Sequence, residues 1–138
     1  MPMINLPRVI YQKYHWFTDF IDEQLKGSPW PNLSRQQIIV LGGIYQGENK
    51  AIRIASMIGI SRQAVYKIVK ELEEYGLISQ RQNPDQLNSS IIELTGEGER
   101  CVDFVENIIS QQENKLIERF GIEKVEAALE VLSADWAL

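Results

Sequence analysis

The chain has 138 residues, a net charge of -5, and a composition that is 44% apolar and 24% charged. That length suits one domain with a real core, and the composition excludes a disordered chain. Its longest near-continuous apolar run, Ile38 to Tyr45, is far short of the ~20 residues that span a bilayer, so no membrane association is expected. The start lacks a basic stretch followed by a long apolar one, so no secretory leader is expected. A single cysteine, Cys101, excludes an internal disulfide and fits a reducing, cytoplasmic location. One His and one Cys are too few soft ligands for a structural zinc site within one chain, so neither a metal nor a cofactor is expected.

In chain order, Pro7 suits the first turn of a helix that Gly27 and Pro29 end. Ile10, Tyr14, Phe17, Ile21 and Leu25 form one stripe along it, and Val9, Trp16 and Phe20 a second. So wide an apolar face exceeds what a helix on a small monomer needs, and would serve the core on one side and a partner subunit on the other. The segment from Ser28 to Asn32, with Pro29 and Pro31, is a stiff connector. Ser34 and Gln37 make a capping-box pattern, and Ile38, Ile39, Leu41 and Ile44 carry the next helix.

After a loop at Gly47, Glu48 and Asn49 comes the stretch from Lys50 to Gly76, which reads as two helices joined at Ile58-Gly59-Ile60. Ile54, Ala55 and Ile58 repeat at helical spacing before the turn. Val65, Ile68, Val69 and Leu72 repeat at i, i+3, i+4 and i+7 after it. Small Ala55 lets the helices approach, Gly59 supplies the positive φ of the turn, and Ser61 opens the second helix. That helix then buries one face and presents Arg62, Gln63, Tyr66, Lys67 and Lys70 outward. Two extended runs follow, Leu77 to Gln82 and Ser90 to Leu94, with a turn at Asn83-Pro84-Asp85, which predicts a hairpin. Thr95 caps a long helix with Val102, Val105, Ile109, Leu116 and Phe120 on one side, its first turn weakened by Gly96 and Gly98. Phe120-Gly121-Ile122 breaks it, and Val125, Leu129 and Leu132 carry a final helix to near Trp136. The expected fold is mainly α with a small β-hairpin: a winged helix-turn-helix over 33–95, between dimerisation helices over 6–27 and 96–137, in one domain spanning 1–138.

An acidic chain is at first sight a poor partner for nucleic acid. The distribution of charge reverses that reading. Between Lys50 and Lys70 lie Lys50, Arg53, Arg62, Lys67 and Lys70 with no acid, whereas from Glu93 onward eleven acids face four bases. With a screening length of ~8 Å at physiological salt, a distant acidic region hardly cancels a local basic patch. A bland alternative is a solvated helix face, since Lys and Arg belong on any exposed helix.

From Leu33 to Arg100 the chain resembles the MarR family of bacterial transcriptional regulators. The likeness is carried by the helix starting at Ser34, the turn Ile58-Gly59-Ile60-Ser61-Arg62, the segment Leu72-Glu73-Glu74-Tyr75-Gly76-Leu77-Ile78, Arg81, and Leu94-Thr95 with Gly98. The order of flanking helices is also similar. This resemblance implies a homodimer with interlocked terminal helices and a winged helix on each subunit, acting as a repressor and responding to a small ligand or an oxidant. The second helix would enter the major groove of double-stranded DNA, with half-sites of a pseudo-palindromic operator ~10 base pairs apart. Arg62 and Gln63 would read guanine and adenine edges. Lys67 and Lys70 would meet phosphates, helped by Ser61 and the amides near it, and Tyr66 would meet a thymine methyl or a phosphate. Arg81, Arg53 and Lys50 complete the expected DNA-binding set.

The wing departs from the family pattern, which places an acid and then arginines near the tip: here Asp85 is followed by Gln86 and Leu87. The amides Gln82, Asn83, Gln86 and Asn88 cannot release counterions as cations do, so binding should be weaker and less salt-dependent. Tyr11, Tyr14, His15 and Trp30 are candidates for an effector pocket, or else plain core or dimer interface. His15 is either a pH-sensitive group or a structural one. Cys101 sits on an apolar helix side, which opposes a role as peroxide sensor. No Ser-His-Asp order, phosphate-binding Gly loop or HExxH pattern is present, so the chain is not expected to be an enzyme. The rival reading is an acidic winged-helix module that binds protein and has lost its operator.

Overall fold

Six helices and one hairpin make up the computed structural model, which describes residues 5–137 apart from the side chains of Leu87 and Asn88. Expectations attached to those two side chains lie outside the described residues. The order is α1 (Leu6–Lys26), α2 (Arg35–Tyr45), α3 (Ala51–Ile58), α4 (Arg62–Glu74), β1 (Ile78–Asn83), β2 (Gln86–Leu94), α5 (Gly96–Phe120) and α6 (Ile122–Ser133).

Local chemistry sets most of these boundaries. Asn5 caps α1 through its Oδ1, which accepts from the Arg8 amide, and Pro7 occupies the first turn. The capping box of α2 is complete: Ser34 Oγ accepts from the Gln37 amide at 3.1 Å, and Gln37 Oε1 accepts from the Ser34 amide at 2.8 Å. Helix α4 stops at Gly76, where φ is +76°. There the Gly76 amide donates to Glu73 O and the Leu77 amide to Leu72 O, the paired bonds of a Schellman cap. Both Leu72 and Leu77 are buried, so the cap also carries its apolar contact.

One core cluster joins the winged-helix elements to the flanking helices. Ile54 of α3, Val65, Val69 and Leu72 of α4, Ile78 of β1 and Ile92 of β2 are sealed in it, together with Leu25 of α1 and Cys101 of α5. Gly98 fixes how α5 enters this core. A methyl group at that position would lie 1.9 Å from the Leu77 carbonyl oxygen, so only glycine lets α5 cross the chain there. Thr95 completes the junction: its amide donates to Leu77 O, its hydroxyl to Gly76 O, and its Oγ1 accepts from the Gly98 amide. The glycine expected to weaken α5 is thus required by the packing of its first turn.

Three boundaries differ from expectation, the first by one residue, β1 running Ile78–Asn83 rather than Leu77 to Gln82. Strand β2 begins at Gln86 rather than Ser90, because Asn83 pairs with Gln86 while Gln82 pairs with Ser90, so the extra β2 residues form a bulge near the tip. Helix α6 ends at Ser133, short of Trp136. The Trp136 indole instead folds back and donates to the Val131 carbonyl at 2.6 Å.

The two ends of the chain leave apolar surface uncovered. Leu6, Val9, Ile10, Tyr11, Tyr14 and Trp16 of α1 are exposed, as are Ile122, Leu129, Val131 and Leu132 of α6. Helix α6 buries no residue at all. The stripe along α5 is buried at Val102 and Val105 but open at Phe120. Among the described residues no helix is long and apolar enough to cross a membrane.

Candidate nucleic-acid interface

Helix α3 ends in a left-handed residue, Gly59 at φ +83°, and the amides of Gly59 and Ile60 both donate to Ala55 O. A side chain there would be strained by the backbone, although nothing crowds the position. Ser61 then caps α4, its Oγ accepting from the Ala64 amide at 3.0 Å. Two caps, two residues apart, fix the direction in which α4 leaves α3. With Val65, Ile68, Val69 and Leu72 buried, helical geometry forces Arg62, Gln63, Tyr66, Lys67 and Lys70 to the exterior, and all five are exposed.

The remaining expected contacts are placed less uniformly. Arg53 is exposed on α3 and Lys50 is half-buried at its N-terminus. Among the described residues Lys50, Arg53, Arg62, Lys67 and Lys70 have no ion-pair partner, so their charge is available to an anion. Arg81 differs: its Nε lies 3.0 Å from Glu93 Oε1 on the neighbouring strand. Ser61 also has one acceptor site of its oxygen engaged in the cap, while its hydroxyl proton remains to donate to a phosphate. The backbone of 47–50 is tied to the wing, because the Ile92 amide donates to Asn49 O at 2.9 Å.

The wing tip carries no cation, only the acid Asp85, and is internally bonded. Asn83 is buried, with its Nδ2 donating to Ser89 Oγ and its Oδ1 accepting from the Asp85 amide. It builds the turn and is not available as one of the outward amides expected there. Ser90 Oγ donates to Gln80 Oε1 at 2.9 Å across the strands.

A cavity of about 560 Å³ opens between α1, α2, α5 and α6. Phe17, Ile21, Ile38, Ile39, Ile109, Leu116, Val125 and Leu129 are among its apolar lining, with Asp22, Arg35 and Glu113 the charged groups. Of the four expected effector residues only Tyr14 lines it. Tyr11 packs edge-on against His15 at 4.4 Å between ring centroids, and Trp30 packs half-buried against the core. His15 Nδ1 is 4.0 Å from Asp19, whose Oδ1 also accepts from Arg35 at 3.4 Å. The aromatic cluster on α1 therefore meets the cavity only through Tyr14, whose ring lies 6.4 Å from that of His15. The true lining was visible in the sequence only as stripes with nothing to distinguish core from cavity wall.

Cys101 is buried, and burial, with Glu97 adding to it, pushes its thiol up to about 11. A thiol so held stays protonated at neutral pH and is a poor nucleophile. Among the described residues no group of His, Cys, Asp and Glu is arranged to hold a metal ion.

Comparison with known proteins decides the fold. The model of the sugar-specific transcriptional regulator TrmB matches residues 41–89, from within α2 to the wing. The Staphylococcus aureus MepR–DNA complex superposes with a TM-score of 0.77 at 19% identity, covering 95% of this chain and 96% of that one. The regulator PA4135 gives 0.75 at 24% identity, covering 96% and 94%. Wild-type MarR from Escherichia coli, in its apo form, gives 0.73 at 19% identity, covering 96% of each chain. This chain has the MarR-type winged-helix fold. Within the MarR-type fold, α2, α3, α4 and the hairpin form the winged helix, and α1, α5 and α6 flank it, in the order the sequence predicts.

Proposed function

We propose that this protein is a MarR-type transcriptional regulator that binds double-stranded DNA as a homodimer and represses from a pseudo-palindromic operator. The observation that carries this is the outward face of α4, where Arg62, Gln63, Tyr66, Lys67 and Lys70 are exposed beside Arg53, and none of the cations among them is ion-paired among the described residues. The N-terminal turn of α4 enters the major groove, with Arg62 and Gln63 against base edges and Lys67 and Lys70 against phosphates. MepR, which shares the fold, is known in complex with DNA. Dimerisation is supported by the apolar faces of α1 and α6 that this chain leaves uncovered, larger than scattered surface residues would produce. A twofold axis between them matches a twofold operator. The cavity between α1, α2, α5 and α6 is the place for a small, largely apolar effector, since it joins the flanking helices to α2 of the winged helix.

Selection of bound sequences from a random duplex pool at two salt concentrations tests the reading. An inverted repeat is expected, and Arg62→Ala should weaken its binding by about 1–3 kcal/mol and relax preference at one position per half-site. Absence of enrichment at low salt would favour the acidic, protein-binding reading, to which the net charge of -5 lends weight.

A further inference from the structure

We propose that Glu93 is a positioning residue that acts on DNA affinity through Arg81, by occupying the wing's one cation as an intramolecular stand-in for phosphate. The inference rests on the DNA-binding reading above and adds a residue that the reading does not need. From Ile78 to Leu94 the hairpin carries one basic residue, Arg81, against Asp85 and Glu93. In the antiparallel register Ser79 faces Glu93 and Arg81 faces Ile91, so Arg81 and Glu93 are diagonal neighbours on the same face of the hairpin. Their side chains meet at 3.0 Å.

The pair is exposed, at 57% for Arg81 and 49% for Glu93, so it contributes little to holding the strands together. Its consequence lies elsewhere. Each phosphate neutralised by a protein cation releases condensed counterions and steepens the dependence of log K on log salt by about 0.9. An Arg81 that approaches the backbone with Glu93 attached brings no net charge and releases none. If it leaves Glu93 behind, a carboxylate is left facing the phosphates. Either way the wing contributes less than one cation, and the sequence-independent attraction falls to α3 and α4. Carboxylate and phosphate offer guanidinium the same acceptor geometry, which is why Glu93 can fill the place of the ligand.

Binding of the full-length protein to its selected operator and to a random-sequence duplex, measured by anisotropy from about 50 to about 200 mM salt, reads this directly. Glu93→Gln should tighten both complexes roughly five- to tenfold per wing near ~0.1 M salt and steepen both slopes by about 0.9 for each wing that reaches a phosphate. Glu93→Asp, which keeps the charge, should retain the wild-type slope. Arg81→Ala should leave the wild-type slope unchanged, with affinity lowered by the bare Glu93 carboxylate, and should abolish the gain in slope in the Glu93→Gln background. A wild-type slope for Glu93→Gln, with an unchanged thermal melt, overturns the proposal. So does a loss of about 0.9 in slope per wing for Arg81→Ala alone, since Arg81 would then already be on a phosphate. In both of those cases wild-type DNA binding stands. Failure of every variant to bind any duplex overturns the DNA-binding reading and this inference together.

Discussion

The α3–α4 unit and the α1–α6 pair solve the same problem in opposite ways. Helices α3 and α4 are short, but α4 is capped at both ends, α3 closes on a left-handed glycine, and their apolar faces vanish into the core of the same chain. Helix α1 is long and well capped, yet its N-terminal half shows six large apolar side chains to solvent, and α6 buries nothing. Both regions are amphipathic, and periodicity alone does not separate them. What differs is whether the chain itself supplies the opposite wall. In the function proposed above, the first region is the DNA-reading unit, which must hold its direction within each subunit, and the second is the dimerisation surface, whose opposite wall comes from a second copy.

The largest test of this contrast is Leu72→Ala in α4. Leu72 is fully buried, so truncation should cost about 2–5 kcal/mol of stability in denaturant unfolding, and the loss should not depend on protein concentration. Cys101, on the closed half of α5, gives the next effect. Its thiol is held near 11 in the fold, above its ordinary value, so the folded state keeps a proton that the unfolded state gives up. The stabilisation is complete below the unfolded value near 9.0 and is lost as pH rises through about 11. Of the order of 2–3 kcal/mol should disappear across that window, and Cys101→Ala should flatten the decline in a pH series of melts. Gly59→Ala places a methyl group on a left-handed residue with open space around it, so only backbone strain is at work. A cost of about 1–2 kcal/mol is expected by chemical denaturation. The smallest effect within one chain belongs to Leu129→Ser in α6, since Leu129 is 61% exposed. Intrachain stability should move by no more than about 0.5 kcal/mol. Sedimentation equilibrium should nonetheless show weaker self-association. Unchanged association would mean that the open face of α6 is not a subunit contact.

Much of the winged helix was legible before folding, for a local reason. Ser34 with Gln37, Gly59 with Ser61, and Thr95 in its cap on the Gly98 amide act on backbone groups within four residues of themselves, so that chemistry is written in neighbouring letters. The buried face of α4 followed from spacing, and its exposed face followed from the buried one. The effector candidates were not legible in the same way. Tyr11, Tyr14, His15 and Trp30 are aromatic and clustered along the chain, but only Tyr14 turns toward the cavity. The cavity wall is assembled from four helices, and no single stretch records which of its faces will meet the other three.

The sequence by itself determined the order of elements, the two helix caps around Gly59, the cation-rich outer face of α4 and the lack of arginines at the wing tip. These depend on residues within a turn or two of one another, where hydrogen bonds and periodicity act directly. Only the tertiary structure decided that Gly98 must be glycine, that Asn83 is consumed by the turn, that Arg81 is held by Glu93, and that α6 is left without a wall. Each of those is a contact between separate segments, or the lack of one, and separation in the chain gives no measure of distance in the fold.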